Sequence, residues 1–173
     1  MNFNVLTIFP EIFDIFDSGV ISKALANKNF SLNCLNIRDH AINKHGQIDA
    51  KPYGGGEGMV MMAEPLKKSL DDIPKEELGH VIYLSPQGSK LNQSKVITLS
   101  KMESLTLICG RYEGVDQRFI DKYVDEEISI GDFILSGGEY AAICLIDSIV
   151  RNIPGTIGNK ESVTNDTFVV VSV

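Results

Sequence analysis

The sequence lacks what would tie it to a membrane, a disulfide framework or a broadly basic surface. No apolar run approaches the roughly 20 residues needed to span a bilayer. Met1 leads into a strand-like segment rather than a basic and then apolar signal, so the expected location is cytoplasmic, with no membrane partner. Cys34, Cys109 and Cys144 are odd in number, widely spaced and embedded in apolar runs. They support neither a disulfide scaffold nor a zinc motif, and they are predicted to be core residues. Positive charge is also short: 16 Lys and Arg face 23 Asp and Glu, giving a net charge of −7. That argues against a broad nucleic-acid surface, although net charge describes the average field and not a local site. From Arg111 to Asp147 three basic residues stand against nine acidic ones, so phosphates are not gripped there. The stretch Arg38 to Lys51 differs, with Arg38, His40, Lys44, His45 and Lys51 against Asp39 and Asp49. A polyanion must be met there or by another chain.

The common phosphate and hydrolase signatures are missing as well. No glycine is followed by Lys and Ser or Thr in a P-loop pattern. The cluster Gly54 to Gly58 fails the dinucleotide fingerprint because Met59 stands where the third glycine is required. There is no His-x-x-x-His or Glu-x-x-His spacing within a helical pattern, the run Glu77-Leu-Gly-His80 being broken by Gly79, and no Gly-x-Ser-x-Gly elbow, so metal hydrolysis and serine hydrolysis are unsupported and no metal site is assigned. No internal repeat or low-complexity segment occurs.

What is present is a run of strand and helix patterns in alternation. With 173 residues and 43% hydrophobic content, the chain suits one well-buried α/β domain. Strands are predicted at Asn2 to Ile8, Ser31 to Ile37, Val81 to Leu84, Leu105 to Cys109 and Glu127 to Ile130. Helices are predicted from Pro10 onward, over Val60 to Leu70, about Asn92 to Lys101, Val115 to Tyr123 and Glu139 to Val150. Arg38 to Lys51 has little periodicity and reads as a mobile polar segment, and Asp71 to Gly79 as a charged surface connection. Strands spaced by helices predict a mainly parallel sheet with helices on both faces. The apolar face of the last helix, Ala142, Leu145, Ile146 and Ile149, is richer than one small sheet needs and reads as core or as a self-association surface.

The stretch Ser129-Ile-Gly-Asp-Phe-Ile-Leu-Ser-Gly-Gly-Glu-Tyr140 reads as a pocket wall, because Gly131, Gly137 and Gly138 admit a close ligand or a second backbone. Tyr83-Leu-Ser-Pro-Gln-Gly88 and Cys109-Gly-Arg-Tyr-Glu-Gly114 share this character, each following an apolar strand-like run. Three strand-end loops are thus predicted to converge, as at the ligand crevices of open α/β sheets.

Several long motifs in order carry a specific resemblance. They are Phe9-Pro-Glu-Ile-Phe13, Arg38-Asp39, Pro52-Tyr-Gly-Gly-Gly-Glu-Gly-Met59, Tyr83-Leu-Ser-Pro-Gln-Gly88, Cys109-Gly-Arg-Tyr-Glu-Gly-Val-Asp116, Ser129 to Glu139 and Arg151-Asn-Ile-Pro-Gly155. From Met1 to about Phe168 the chain resembles the bacterial tRNA (guanine-N(1)-)-methyltransferases, the TrmD family. The resemblance implies a SPOUT fold with a deep trefoil knot in the C-terminal half, and a homodimer with its sites at the subunit interface. It implies S-adenosylmethionine-dependent methylation at ring nitrogen 1 of guanine-37 in tRNA, next to the anticodon, and leaves a need for magnesium open. A second reading is a knotted homodimeric cofactor-binding module, inactive without a further domain.

The resemblance also assigns residues. Cofactor binding falls to Tyr83, Leu84, Ser85 and Pro86, to Gly110, Tyr112, Glu113 and Gly114, and to Ser129, Ile130, Gly131 and Asp132. Phe133, Ile134, Leu135, Gly137 and Gly138 complete that set. Asp166 matches the family's general base and Arg151 the arginine that stabilises charge on the guanine. Asp49, Tyr53, Gly54, Gly55, Gly56, Gly58 and Met59 match positions implied in guanine recognition. Ala50 and Lys51 stand where an acidic residue and an arginine are common in the family. The family continues into a helical tRNA-binding domain that is not in this sequence, and Val169 to Val173 do not resemble that continuation. Weak tRNA binding by the chain alone is therefore expected, because phosphate neutralisation supplies most such affinity.

Overall fold

Five of the six residues of the first strand, β1 (Asn2–Thr7), are buried. In the computed structural model, which describes residues 1–52, 54–156 and 168, this strand lies inside a five-stranded parallel sheet. A 3-10 segment, Pro10–Asp17, follows it, and Pro10 suits the first turn because its missing N–H needs no partner there. Then come α1 (Gly19–Ala26) and β2 (Ser31–Asn36). A small antiparallel pair, β3 (Asp49–Ala50) and β4 (Val60–Met61), leads to α2 (Ala63–Asp71) and α3 (Lys75–Leu78). The second half runs β5 (His80–Lys90), α4 (Gln93–Leu99), β6 (Ser104–Cys109), α5 (Gln117–Tyr123), β7 (Glu126–Ser129) and α6 (Glu139–Val150).

The strand order is β2-β1-β6-β5-β7, with every pairing parallel. All six residues of the central strand β6 are buried, as covered parallel strands require. Alternate residues serve two cores, because successive side chains point to opposite faces. Phe3, Val5, Ile82, Leu84, Leu105 and Leu107 meet residues of α1, α4 and α6 on one face. Leu6, Val81, Tyr83 and Ile108 meet α2 and α5 on the other. The predicted mainly parallel α/β architecture with two covered faces is what the chain adopts.

Four local expectations are corrected. Val60 and Met61 are strand rather than helix; α2 begins at Ala63, with Pro65 in its first turn. The polar stretch 38–51 is tied into turns: Arg38 Nη1 donates to the Gly46 carbonyl at 3.0 Å, and the Asn43 side chain accepts from the backbone N–H of His45. Tyr83 to Gly88 lies within β5, whose pairing with β7 jumps between Leu84 and Ser89 around Pro86, which has no N–H to donate. The face Ala142, Leu145, Ile146 and Ile149 is fully buried beneath α6, and Cys144 is exposed on the outer face of the same helix. Those four side chains fill the core between α6 and the sheet, so they cannot form a self-association surface. Of the other cysteines, Cys109 is buried and Cys34 half-buried. Among the described residues no helix is long and apolar enough to cross a membrane.

Candidate functional site

Beside the middle of β5 and the carboxyl ends of β6 and β7 lies a crevice of about 330 Å³. Its walls are Tyr83 to Gln87, Gly110 to Val115, Glu127 to Gly131 and Phe133 to Gly138, closed by Gln117, Ile120 and Ala141. Every residue assigned from sequence to cofactor binding lines it except Asp132, whose carboxylate is paired with the Lys90 ammonium. Ligand pockets begin near 300 Å³ and lie at such strand ends in open α/β sheets.

Glycine is required where chain passes chain. A Cβ on Gly110 would lie 2.8 Å from the Tyr83 ring, and one on Gly138 would lie 2.8 Å from the Cys109 Cα. Gly138 instead donates its N–H to the Gly110 carbonyl at 2.9 Å. Tyr112, at the crevice mouth, has φ of +60°, a left-handed conformation that L side chains rarely adopt. Such strain persists where surrounding structure fixes it, and it is common at binding sites. The Tyr83 phenol is pushed above its ordinary value of 10.0 by burial and by the nearby Glu127 carboxylate, against the opposing hydrogen bond from the backbone of Val115.

Behind the crevice lies a fully buried carboxylate. Glu139, in the first turn of α6, accepts from Thr7 Oγ1 at 2.9 Å and from Arg111 Nε at 2.9 Å. Arg111 also donates from Nη1 to the Ser136 carbonyl at 3.1 Å, and its guanidinium lies over the Phe9 ring at 4.7 Å. A Cβ on Gly137 would lie 2.2 Å from Arg111 Nε, so a glycine there makes room for the arginine. Sequence reasoning missed Gln117 and Glu127 as lining residues, and Thr7 and Glu139 as the support of Arg111. Arg111 stands inside a quoted motif, but no spacing rule joins it to a carboxylate 28 residues away.

Of the residues assigned to guanine recognition, Gly58 and Met59 meet the crevice wall, both through Glu113. Asp49 is half-buried in β3, paired with Met61 of β4. Gly54, Gly55 and Gly56 are exposed, while Gly58 packs on the Glu113 side chain, 2.3 Å from its Cγ to an added Cβ. Glu113 donates its N–H to the Met59 carbonyl at 2.9 Å, and Met61 donates to the Gly114 carbonyl at 2.9 Å. The glycine loop is thus stitched to the crevice wall. Arg151 is elsewhere, exposed at the end of α6. With twelve residues in α6, it stands roughly 18 Å along the helix from the Glu139 end. It borders an apolar hollow of about 580 Å³ lined by Ile15, Val20, Ile143 and Cys144. Asp166, Tyr53 and the tail 169–173 lie outside the described residues. Among the described residues, no cluster of three or more His, Cys, Asp or Glu side chains is arranged to hold a metal.

Comparison with known proteins adds a family. The family model described as tRNA (Guanine-1)-methyltransferase TrmD matches residues 1–172. A tRNA (guanine-N(1)-)-methyltransferase of Francisella philomiragia is 48% identical over 172 residues, covering 97% of this chain and 67% of that protein. One from Pseudoalteromonas translucida is 50% identical over 167 residues, covering 95% and 66%. The crystal structure of tRNA (m1G37) methyltransferase from Aquifex aeolicus superposes with a TM-score of 0.84 at 42% identity, covering 92% of this chain and 72% of that one. The chain spans about two thirds of the length of the relatives it matches.

Proposed function

Because this chain belongs to the tRNA (guanine-1)-methyltransferase family, we propose that it methylates ring nitrogen 1 of guanine-37 in tRNA, with S-adenosylmethionine held in the crevice. The observation that carries the reading is the crevice itself, a glycine-lined cradle between β5, β6 and β7 in which added Cβ atoms would collide with opposing backbone or ring atoms. The residues fit the cofactor. Leu84, Pro86, Ile130 and Leu135 offer apolar surface for a purine, and the bare backbone near Gly110 and Gly138 brings amide groups close to it. When bound, S-adenosylmethionine supplies an electrophilic methyl group on a sulfonium.

The chain's own residues do the rest. Guanine nitrogen 1 carries a proton that a base must remove as the methyl group is transferred. Asp166 takes that role. A carboxylate is ionised near pH 7, its reference pKa being about 3.9, so it depends on placement against the base rather than on basicity. Arg151 stabilises negative charge growing on the guanine oxygen. Since Arg151 lies at the far end of α6 from the crevice, it reaches a crevice of a second copy, in line with a homodimer.

The surface for that dimer is the apolar hollow beside α6, where Ile15 and Val20 are 58% and 57% exposed and Tyr140 stands nearby on the same helix. An exposed patch of this kind is characteristic of an interaction surface. The close passage of Gly138 over Cys109 and Gly110 supports the trefoil knot expected of the fold. The work is cytoplasmic, and binding of tRNA by this chain is salt-sensitive.

The test is methyl transfer to tRNA at low salt, read as 1-methylguanosine in digested product. The parent chain forms it. Asp166→Asn lowers the rate about 10²-fold or more, the scale of a lost general base, with cofactor affinity unchanged. A chain that binds the cofactor but never forms the product, even at high tRNA concentration, contradicts the reading.

A further inference from the structure

The loop Phe133 to Ser136 forms one wall of the crevice while three of its side chains, Phe133, Ile134 and Leu135, stay exposed. It buries too little to be held by its own packing. Among the described residues, two hydrogen bonds tie residues 133–138 to another segment, the Gly138 N–H on the Gly110 carbonyl and Arg111 Nη1 on the Ser136 carbonyl, and the Lys90–Asp132 pair holds the residue before them. The second hydrogen bond depends on where Arg111 is aimed.

We propose that Thr7 and Glu139, neither of which lines the crevice, are positioning residues that set the affinity for S-adenosylmethionine by aiming Arg111 at the 133–136 loop. This rests on the reading of the crevice as the S-adenosylmethionine site. A carboxylate without solvent exposure is costly unless its oxygens are satisfied. Here one oxygen takes Thr7 Oγ1 and the other takes Arg111 Nε, each at 2.9 Å. The guanidinium is fixed in two directions, by this pair and by the Phe9 ring beneath it, so Nη1 has one place to go. A fork-shaped donor can meet a carboxylate and a carbonyl at once; a lysine ammonium on the same stem cannot hold both in plane. The absence of a Cβ on Gly137 gives the guanidinium its space. A hydroxyl at the end of β1 is in this way connected to a wall it does not touch.

Calorimetric titration of S-adenosylmethionine into the 173-residue chain, well below each variant's melting temperature, tests this. Thr7→Val, which keeps the shape and deletes the donor, is expected to weaken binding about 3- to 10-fold, the range of one hydrogen bond. Thr7→Ser, which restores the hydroxyl, is expected to bind within about twofold of the parent. Glu139→Gln and Arg111→Lys should each weaken it more than about 10-fold, because a charge-assisted contact is lost. Adding Glu139→Gln to Arg111→Lys should cost less than about twofold more, since both break one chain of contacts. If Glu139→Gln does not fold, the Thr7 pair decides alone. Folded Thr7→Val that melts earlier yet binds like the parent would make the cluster purely structural and overturn the proposal. A folded parent that shows no binding would instead remove the crevice assignment itself, and this inference with it.

Discussion

The backbone N–H of Gly138 donates to the carbonyl oxygen of Gly110 at 2.9 Å, joining the start of α6 to the segment after β6 without an intervening side chain. The two residues hold the crevice closed along its floor. Because a Cβ on Gly138 would sit 2.8 Å from the Cys109 Cα, a backbone atom that cannot rotate away, Gly138→Ala must push these segments apart. The expected loss is about 1–3 kcal/mol of stability, the usual scale of overpacking, together with loss of cofactor binding. Chemical denaturation and calorimetry on the same sample check both. Retention of parent-like stability and binding would mean that the two backbones are not in close contact.

The buried phenol of Tyr83 gives a pH dependence on the alkaline side. Burial first, and Glu127 second, raise its pKa above 10.0 in the folded chain, while the Val115 backbone opposes them. The folded state therefore keeps the proton longer than the unfolded state. The stabilisation is fully present below about pH 10, the ordinary tyrosine value, and is lost as pH rises through the folded pKa. Between pH 9 and 11 the denaturation midpoint of the parent should fall more steeply than that of Tyr83→Phe, which has no proton to lose. Parallel slopes would show that Tyr83 titrates normally.

The apolar hollow beside α6 predicts a dimer and a way to break it. Val20 is exposed and borders the hollow with Ile15, Ile143 and Cys144. A carboxylate at Val20 has no partner in such an interface and would be costly to bury there. Sedimentation of the parent at micromolar concentration should give twice the chain mass, and Val20→Glu the single mass with its secondary structure intact. A monomeric parent would remove the second copy, and with it the route by which Arg151 reaches a crevice.

The fold was legible where burial follows a period. Phe3, Val5, Leu105 and Leu107 fall on one face of the sheet, with Leu6 and Ile108 on the other, and alternation within short apolar runs is enough to predict that. The crevice loops were legible from their glycines. What failed had no local period. The two-residue strands β3 and β4 exist because Asp49 and Ala50 find Met61 and Val60, a pairing made across the glycine loop. The apolar excess of α6 was real, but Leu145, Ile146 and Ile149 go to a core shared with α1 and α4, whereas the exposed surface is marked by Ile15 and Val20 on a different segment. The Thr7, Arg111 and Glu139 cluster was invisible because its members meet only through the strand order, at separations of 132 and 28 residues.

Cofactor binding by this chain is the most direct measurement of the whole reading, since it needs no tRNA. Isothermal titration of S-adenosylmethionine into the folded 173-residue chain should show saturable heat, and Gly138→Ala should abolish it. A folded chain that gives no heat of binding at millimolar S-adenosylmethionine would contradict the assignment of the crevice.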